Sequence, residues 1–215
     1  MILIINICEE RLHYLEFVKP IEDILRKEKI EYQTIYYKKI TDKELLNKKL
    51  EKIIICGTSL KDNEYLENLD YFKWIKLPKL KGAAASSLGE KPILGICGGM
   101  QILSLIFGGV LVENKEIGQI KIQFEKKFLN FEPSLKEVYL LHNYAVINNE
   151  FEVFASSERL RGREKFKLYN NPCEVGSKEF KIPQAIKHKI KPIYGVLFHP
   201  EVRNKELINY FCKEG

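Results

Sequence analysis

Two residues stand in settings that could support nucleophilic chemistry, Cys97 and His199. Cys97 lies in Lys91-Pro-Ile-Leu-Gly-Ile-Cys-Gly-Gly-Met-Gln101, where a short apolar run enters Gly95-x-Cys97-x-Gly99 and a helical pattern follows at once. This is the pattern of a nucleophile elbow with cysteine in the reactive position. The sharp turn at the carboxyl end of a strand projects the side chain out of the sheet. Flanking glycines remove side chains that would collide with neighbouring backbone. The helix N-terminus behind the sulfur supplies N–H groups and a partial positive charge, which favour the thiolate. The N–H of Gly98 is then placed to stabilise an oxyanion. Taken alone, a cysteine at a tight strand–helix turn reads as a small core residue; the flanking glycines after a buried strand favour the chemical reading.

His199 ends the apolar run Tyr194-Gly-Val-Leu-Phe-His199-Pro-Glu201. It occupies the carboxyl-terminal strand edge where sites collect in open parallel sheets. His199 and Glu201 are two positions apart, so in an extended chain both side chains leave the same face. The carboxylate can then hold one imidazole nitrogen while the other faces a thiol, which is the logic of a nucleophile, a base and an orienting group.

These blocks resemble the two signature segments of the class I, triad-type glutamine amidotransferases, in the same order along the chain. The resemblance spans essentially the whole sequence. It implies Cys97 as nucleophile, His199 as general base and acid, and Glu201 as the orienting carboxylate. The implied reaction is attack on the side-chain amide of L-glutamine, release of ammonia and hydrolysis of a γ-glutamyl thioester. Less direct matches are Gly57, in Cys56-Gly57-Thr58-Ser59, as second donor of the oxyanion hole, and Gln101, Asn143 and Tyr144 as substrate contacts. The family's usual Gly-Gly-Pro loop is shortened here at Gly57. His142 reads first as a structural histidine at a strand end. Phe-Gly-Gly after the elbow helix and the His-Pro-Glu tail look like the glutaminase subunit of GMP synthases. Gly-Met-Gln and His-Asn-Tyr look more like that of imidazole glycerol phosphate synthase.

The elements that must position these residues follow from periodicity. Ile2–Ile7, Tyr32–Tyr37, Lys52–Cys56 and Pro92–Ile96 read as buried strands, and Ile193–Phe198 as the last. Helical spacing covers Leu12–Lys29, with Pro20 near a start or kink. It also covers Asp42–Leu50 behind Thr41 as N-cap, Asn63–Leu77, Met100–Phe107 and Asn204–Lys213. Shorter strands, partly antiparallel, are expected at Gly118–Phe124, Val138–Leu141, Ala145–Ile147 and Phe151–Ser156. The implied fold is α/β: an open, mostly parallel sheet with helices on both faces, flavodoxin-like, over one domain of residues 1–215.

Composition narrows the function classes. The 215 residues are 45% hydrophobic and 30% charged, enough for a sizeable core and unlike a disordered chain. A net charge of +6 with acids interspersed does not mark a dedicated nucleic-acid binder. No apolar run approaches the ~20 residues of a bilayer span, and the N-terminus reads as a first strand rather than a signal peptide. Five dispersed cysteines without a CxxC pair argue against a disulfide framework or structural zinc, and for a reducing cytoplasm. No cofactor or metal is expected. The sequence has no P-loop and no length left for an acceptor domain, so a separate ammonia-accepting synthetase is the expected partner. The alternatives are a stand-alone γ-glutamyl hydrolase and a catalytically idle, metabolite-binding subunit. Two stretches read as loops: the small, polar Lys81–Glu90, with its Ala/Ser-rich 83–87, and the basic Arg159–Lys167.

Overall fold

The protein is described by a computed structural model. It describes residues 1–76, 91–157 and 181–214, and the backbone of 166–168 and 171–175. The loop Lys81–Glu90 lies outside these residues, as does the basic run Arg159–Lys167 apart from the backbone of 166–167.

Eleven strands form one sheet. In chain order they are β1 (Ile2–Asn6), β2 (Tyr32–Tyr36), β3 (Lys52–Ile55), β4 (Ile93–Ile96), β5 (Val110–Phe124) and β6 (Ser134–Ile147). The others are β7 (Phe151–Ser157), β8 (Phe166–Leu168), β9 (Asn171–Val175), β10 (Ile182–His188) and β11 (Ile193–Val196). The spatial order is β2-β1-β3-β4-β11-β10-β7-β5-β8-β9, with β6 paired to β5. Strands β2, β1, β3, β4 and β11 are parallel, and every pairing beyond β11 is antiparallel.

The fold class is as expected, but the parallel portion is smaller than a mostly parallel sheet. The reason lies in connection length. Three residues, Asn148–Glu150, join β6 to β7, and four join β10 to the antiparallel β11, too few for a crossover to a parallel neighbour. Burial along β5 alternates, as it does where one sheet face meets solvent, whereas Ile2–Ile5 and Ile53–Ile55 are buried throughout. Residues His142–Tyr144 interrupt the apolar pattern of β6 without breaking the strand, so two expected strands are one. Strand β10 is an addition.

The helices are shorter and more broken than their periodicity suggests. α1 (Arg11–His13) passes through a π turn at Tyr14–Val18 into α2 (Lys19–Lys27). Pro20 accounts for the π turn: it cannot donate to the carbonyl four residues back and its ring would crowd it. Lys19 N–H reaches Tyr14 O instead. α3 (Asp42–Leu45) opens on a Thr41/Glu44 capping box and ends early, and α4 (Glu64–Glu67) hands over to a 3₁₀ segment at Leu69–Ile75. α5 (Gly98–Ile106) follows β4 directly, and α6 (Lys205–Lys213) closes the chain.

Alternate residues of the parallel strands feed two cores. Leu3, Ile5, Ile53 and Ile55 join Trp74, Met100 and Leu103 on the α5 face. Ile2, Ile4, Ile54 and Ile96 join Val18, Ile21 and Phe211 on the α2–α6 face. Among the described residues no helix is long and apolar enough to cross a bilayer.

α5 can lie this close to the sheet only through its glycines. A Cβ on Gly99 would sit 2.3 Å from the backbone oxygen of Ile55. Gly99→Ala must therefore push α5 off β3, and should destabilise the fold by about 1–3 kcal/mol or more. Urea denaturation measures this; an unchanged midpoint would contradict the packing.

Candidate active site

Cys97 stands between β4 and α5 with φ 48° and ψ −104°, a backbone region that a non-glycine residue adopts only when its surroundings impose it. The imposition is visible. Cys97 N–H donates to Val196 O of the neighbouring β11 at 2.7 Å, and Cys97 O accepts from Gln101 N–H at 3.0 Å. The elbow read from the sequence is present. The thiol donates to Leu141 O on β6 at 3.4 Å.

His199 is fully buried and packs on Phe17 of the π turn, ring centroids 5.2 Å apart. Its Nδ1 lies 2.7 Å from Glu201 Oε1, which leaves Nε2 for the side of Cys97. The pair forms as expected, but not on an extended strand. β11 ends at Val196, and Val202 and Arg203 N–H both turn back to His199 O at 3.2 and 3.3 Å. Pro200 suits that turn, which brings the carboxylate under the ring. His199 N–H is held by Tyr139 O of β6 at 2.9 Å.

Gly57 unites the two side chains. A Cβ built on it would lie 2.7 Å from His199 Cε1 and 3.2 Å from Cys97 Cβ. The loop after β3 thus lies against both the imidazole and the cysteine, and only glycine leaves room for them. Burial of the imidazole opposes its charging. The Glu201 carboxylate and the Cys97 sulfur outweigh this and hold its pKa well above the usual histidine value. A buried carboxylate, an imidazole it orients and a thiol at a helix N-terminus can together move a proton and form a covalent bond to an electrophilic carbon.

Beside Cys97 opens a cleft lined by Gly98, Gln101, Asn143 and Tyr144 among others. The substrate positions expected from the sequence, Gln101, Asn143 and Tyr144, therefore line one cleft. Gln101 donates to Tyr144 O at 2.9 Å and accepts from the Tyr65 hydroxyl. Asn143 Nδ2 reaches across to Leu60 O at 2.8 Å. Tyr65 and Leu60 do not stand out in the sequence. They lie on a short helix and an irregular loop, where spacing carries no signal. His142 is buried in mid-strand, not at a strand end, and turns both ring nitrogens to β5: Nδ1 to Asn114 O and Nε2 to Glu116 Oε2, each at 3.1 Å. Its structural reading holds. Among the described residues no group of three or more His, Cys, Asp or Glu side chains could hold a metal ion.

The family model for class-I glutamine amidotransferases matches residues 13–213. The chain belongs to this family. Its amidotransferase relatives include a glutamine-hydrolyzing GMP synthase subunit of Methanocaldococcus jannaschii, 30% identical over 189 residues, which cover 78% of this chain and 89% of that one. The namesake subunit of Methanococcus aeolicus is 36% identical over 132 residues, covering 57% and 59% of the two chains. Of the two likenesses read from the sequence, these relatives support the GMP synthase one. In fold, the chain superposes on a glutamine amidotransferase of Thermotoga maritima with a TM-score of 0.58 at 18% identity, over 93% of this chain and 75% of that one.

The raised pKa of His199 has a measurable sign. The unfolded value is ~6.5, so the pairing stabilises the amidotransferase fully below that pH and loses its contribution as pH rises through the folded value. In ¹⁵N NMR the ring should stay charged at neutral pH, and Glu201→Gln should bring its midpoint down. A wild-type midpoint at or below the ordinary value would contradict the arrangement.

Proposed function

We propose that this chain is the glutaminase of a two-subunit amidotransferase, hydrolysing L-glutamine to glutamate and ammonia and passing the ammonia to a separate synthetase subunit. The observation that carries the reading is the close approach at Gly57, which sets the Glu201-bound, buried His199 beside Cys97, itself a lining residue of a cleft.

In this reading the proton of Cys97 rests on His199 Nε2 as a thiolate–imidazolium pair, and the bond from the thiol to Leu141 O is given up. The thiolate attacks the side-chain carbonyl carbon of glutamine. The resulting oxyanion is stabilised by the N–H groups of Gly98, at the start of α5, and of Gly57. Collapse expels the amide nitrogen, which leaves as ammonia with the proton from His199. Water, deprotonated by the same ring, then attacks the γ-glutamyl thioester; glutamate departs and the thiol is restored. Gln101, Asn143 and Tyr144 hold the far end of the substrate, and glutamine displaces the Asn143–Leu60 bond as it enters.

The relatives' designation as glutamine-hydrolysing GMP synthase subunits supports a GMP-synthase-type acceptor on the partner. Residues 1–215 serve in this scheme as one glutaminase domain. The test is ammonia release from glutamine by the purified protein, alone and with a GMP synthase synthetase subunit. Cys97→Ala should lower it by at least about 10³-fold in both settings. Equal ammonia release from wild type and variant would overturn the proposal.

A further inference from the structure

Asp62 lies outside the triad yet is almost wholly buried, with a side chain only 2% exposed. A single oxygen, Oδ2, gathers three partners: Thr58 Oγ1 at 2.6 Å, Glu9 N–H at 3.0 Å and His13 Nδ1 at 3.1 Å. A carboxylate only accepts, so all three donate to it, and His13 carries its proton on Nδ1. Such charge-assisted bonds are about twice as strong as neutral ones and fix the geometry of their donors. Asp62 N–H also closes the turn to Ser59 O at 3.2 Å. One buried carboxylate thereby ties the turn after β1, helix α1 and the loop after β3.

That loop contains Gly57. Its backbone has little stiffness of its own: Gly57 is free in φ, and residue 58 is threonine, not proline. The restraint comes from outside. Cys8 Sγ donates to Gly57 O at 3.6 Å on one side, and Asp62 holds the Thr58 side chain on the other. We infer that Asp62 is a positioning residue that, through Thr58, holds the Gly57 backbone where its N–H serves the oxyanion. The inference rests on the acyl-transfer reading of the site, not on the identity of glutamine as substrate.

The test compares two reactions of Cys97 in the full chain, with Cys97→Ala as blank. With p-nitrophenyl acetate the thiolate adds to the carbonyl carbon, an oxyanion forms, and p-nitrophenolate leaves as the acetyl thioester is made. With iodoacetamide the sulfur displaces iodide directly and no oxyanion forms. Thr58→Val keeps the shape and removes the hydroxyl. It should slow acylation by about 10-fold or more, within the about 10²–10³ that one oxyanion donor is worth, and leave alkylation within about twofold. Thr58→Ser should restore acylation, and Asp62→Asn should repeat the selective loss. With glutamine, kcat should fall more than KM rises. Unchanged acylation in Thr58→Val, or acylation and alkylation falling together, would overturn the inference. A wild-type protein that is acylated but does not hydrolyse glutamine would instead refute the glutaminase reading and leave this one standing.

Discussion

The neighbouring strand β11 and helix α5 hold Cys97 at φ 48° and ψ −104°. A backbone so placed costs about 1–3 kcal/mol and persists only when its surroundings over-determine it. Here they do so through Val196 O on the adjacent parallel strand, the first turn of α5, and the close seat of Gly99 on Ile55 O. The parallel half of the sheet is thus a frame that points one sulfur outward and keeps it there. Everything that faces the sulfur comes from elsewhere in the chain.

His199 and Gly57 follow the frame strands β11 and β3, and β6 supplies the facing carbonyl of Leu141. Strand β6 pairs with β5, and backbone carbonyls along it reach the elbow and its neighbours. Tyr139 O takes the N–H of His199, Leu141 O takes the thiol of Cys97, and Tyr144 O takes the amide of Gln101. The antiparallel extension therefore lays β6 along the site, with backbone carbonyls that meet Cys97, His199 and Gln101. His142 secures that strand from behind through Asn114 and Glu116, at the point where the β5–β6 register shifts.

Cys97, His199 and Glu201 are legible in the sequence because each stands next to a short, wholly apolar strand, and a parallel sheet buried on both faces leaves such strands unmistakable. Gly57 is legible only by resemblance; its necessity, the imidazole ring pressed against its Cα, is a tertiary fact. The turn at Pro200 reads as extended chain because two-residue spacing fits both geometries. β5 and β6 read as fragments since half-exposed strands carry polar residues in the middle of their runs. Asp62 gives no signal at all: an aspartate in a polar loop looks solvated until the turn after β1 and the loop after β3 are seen to close over it.

The central claim is that Cys97 forms a covalent γ-glutamyl intermediate in a site that the sheet has arranged beforehand. Its most direct test is rapid acid quenching of the protein with glutamine, alone and with a GMP synthase synthetase subunit, followed by peptide mass mapping. The expected result is a γ-glutamyl adduct on the peptide bearing Cys97. Glutamine turnover with no adduct there, or with one on another cysteine, would contradict the claim.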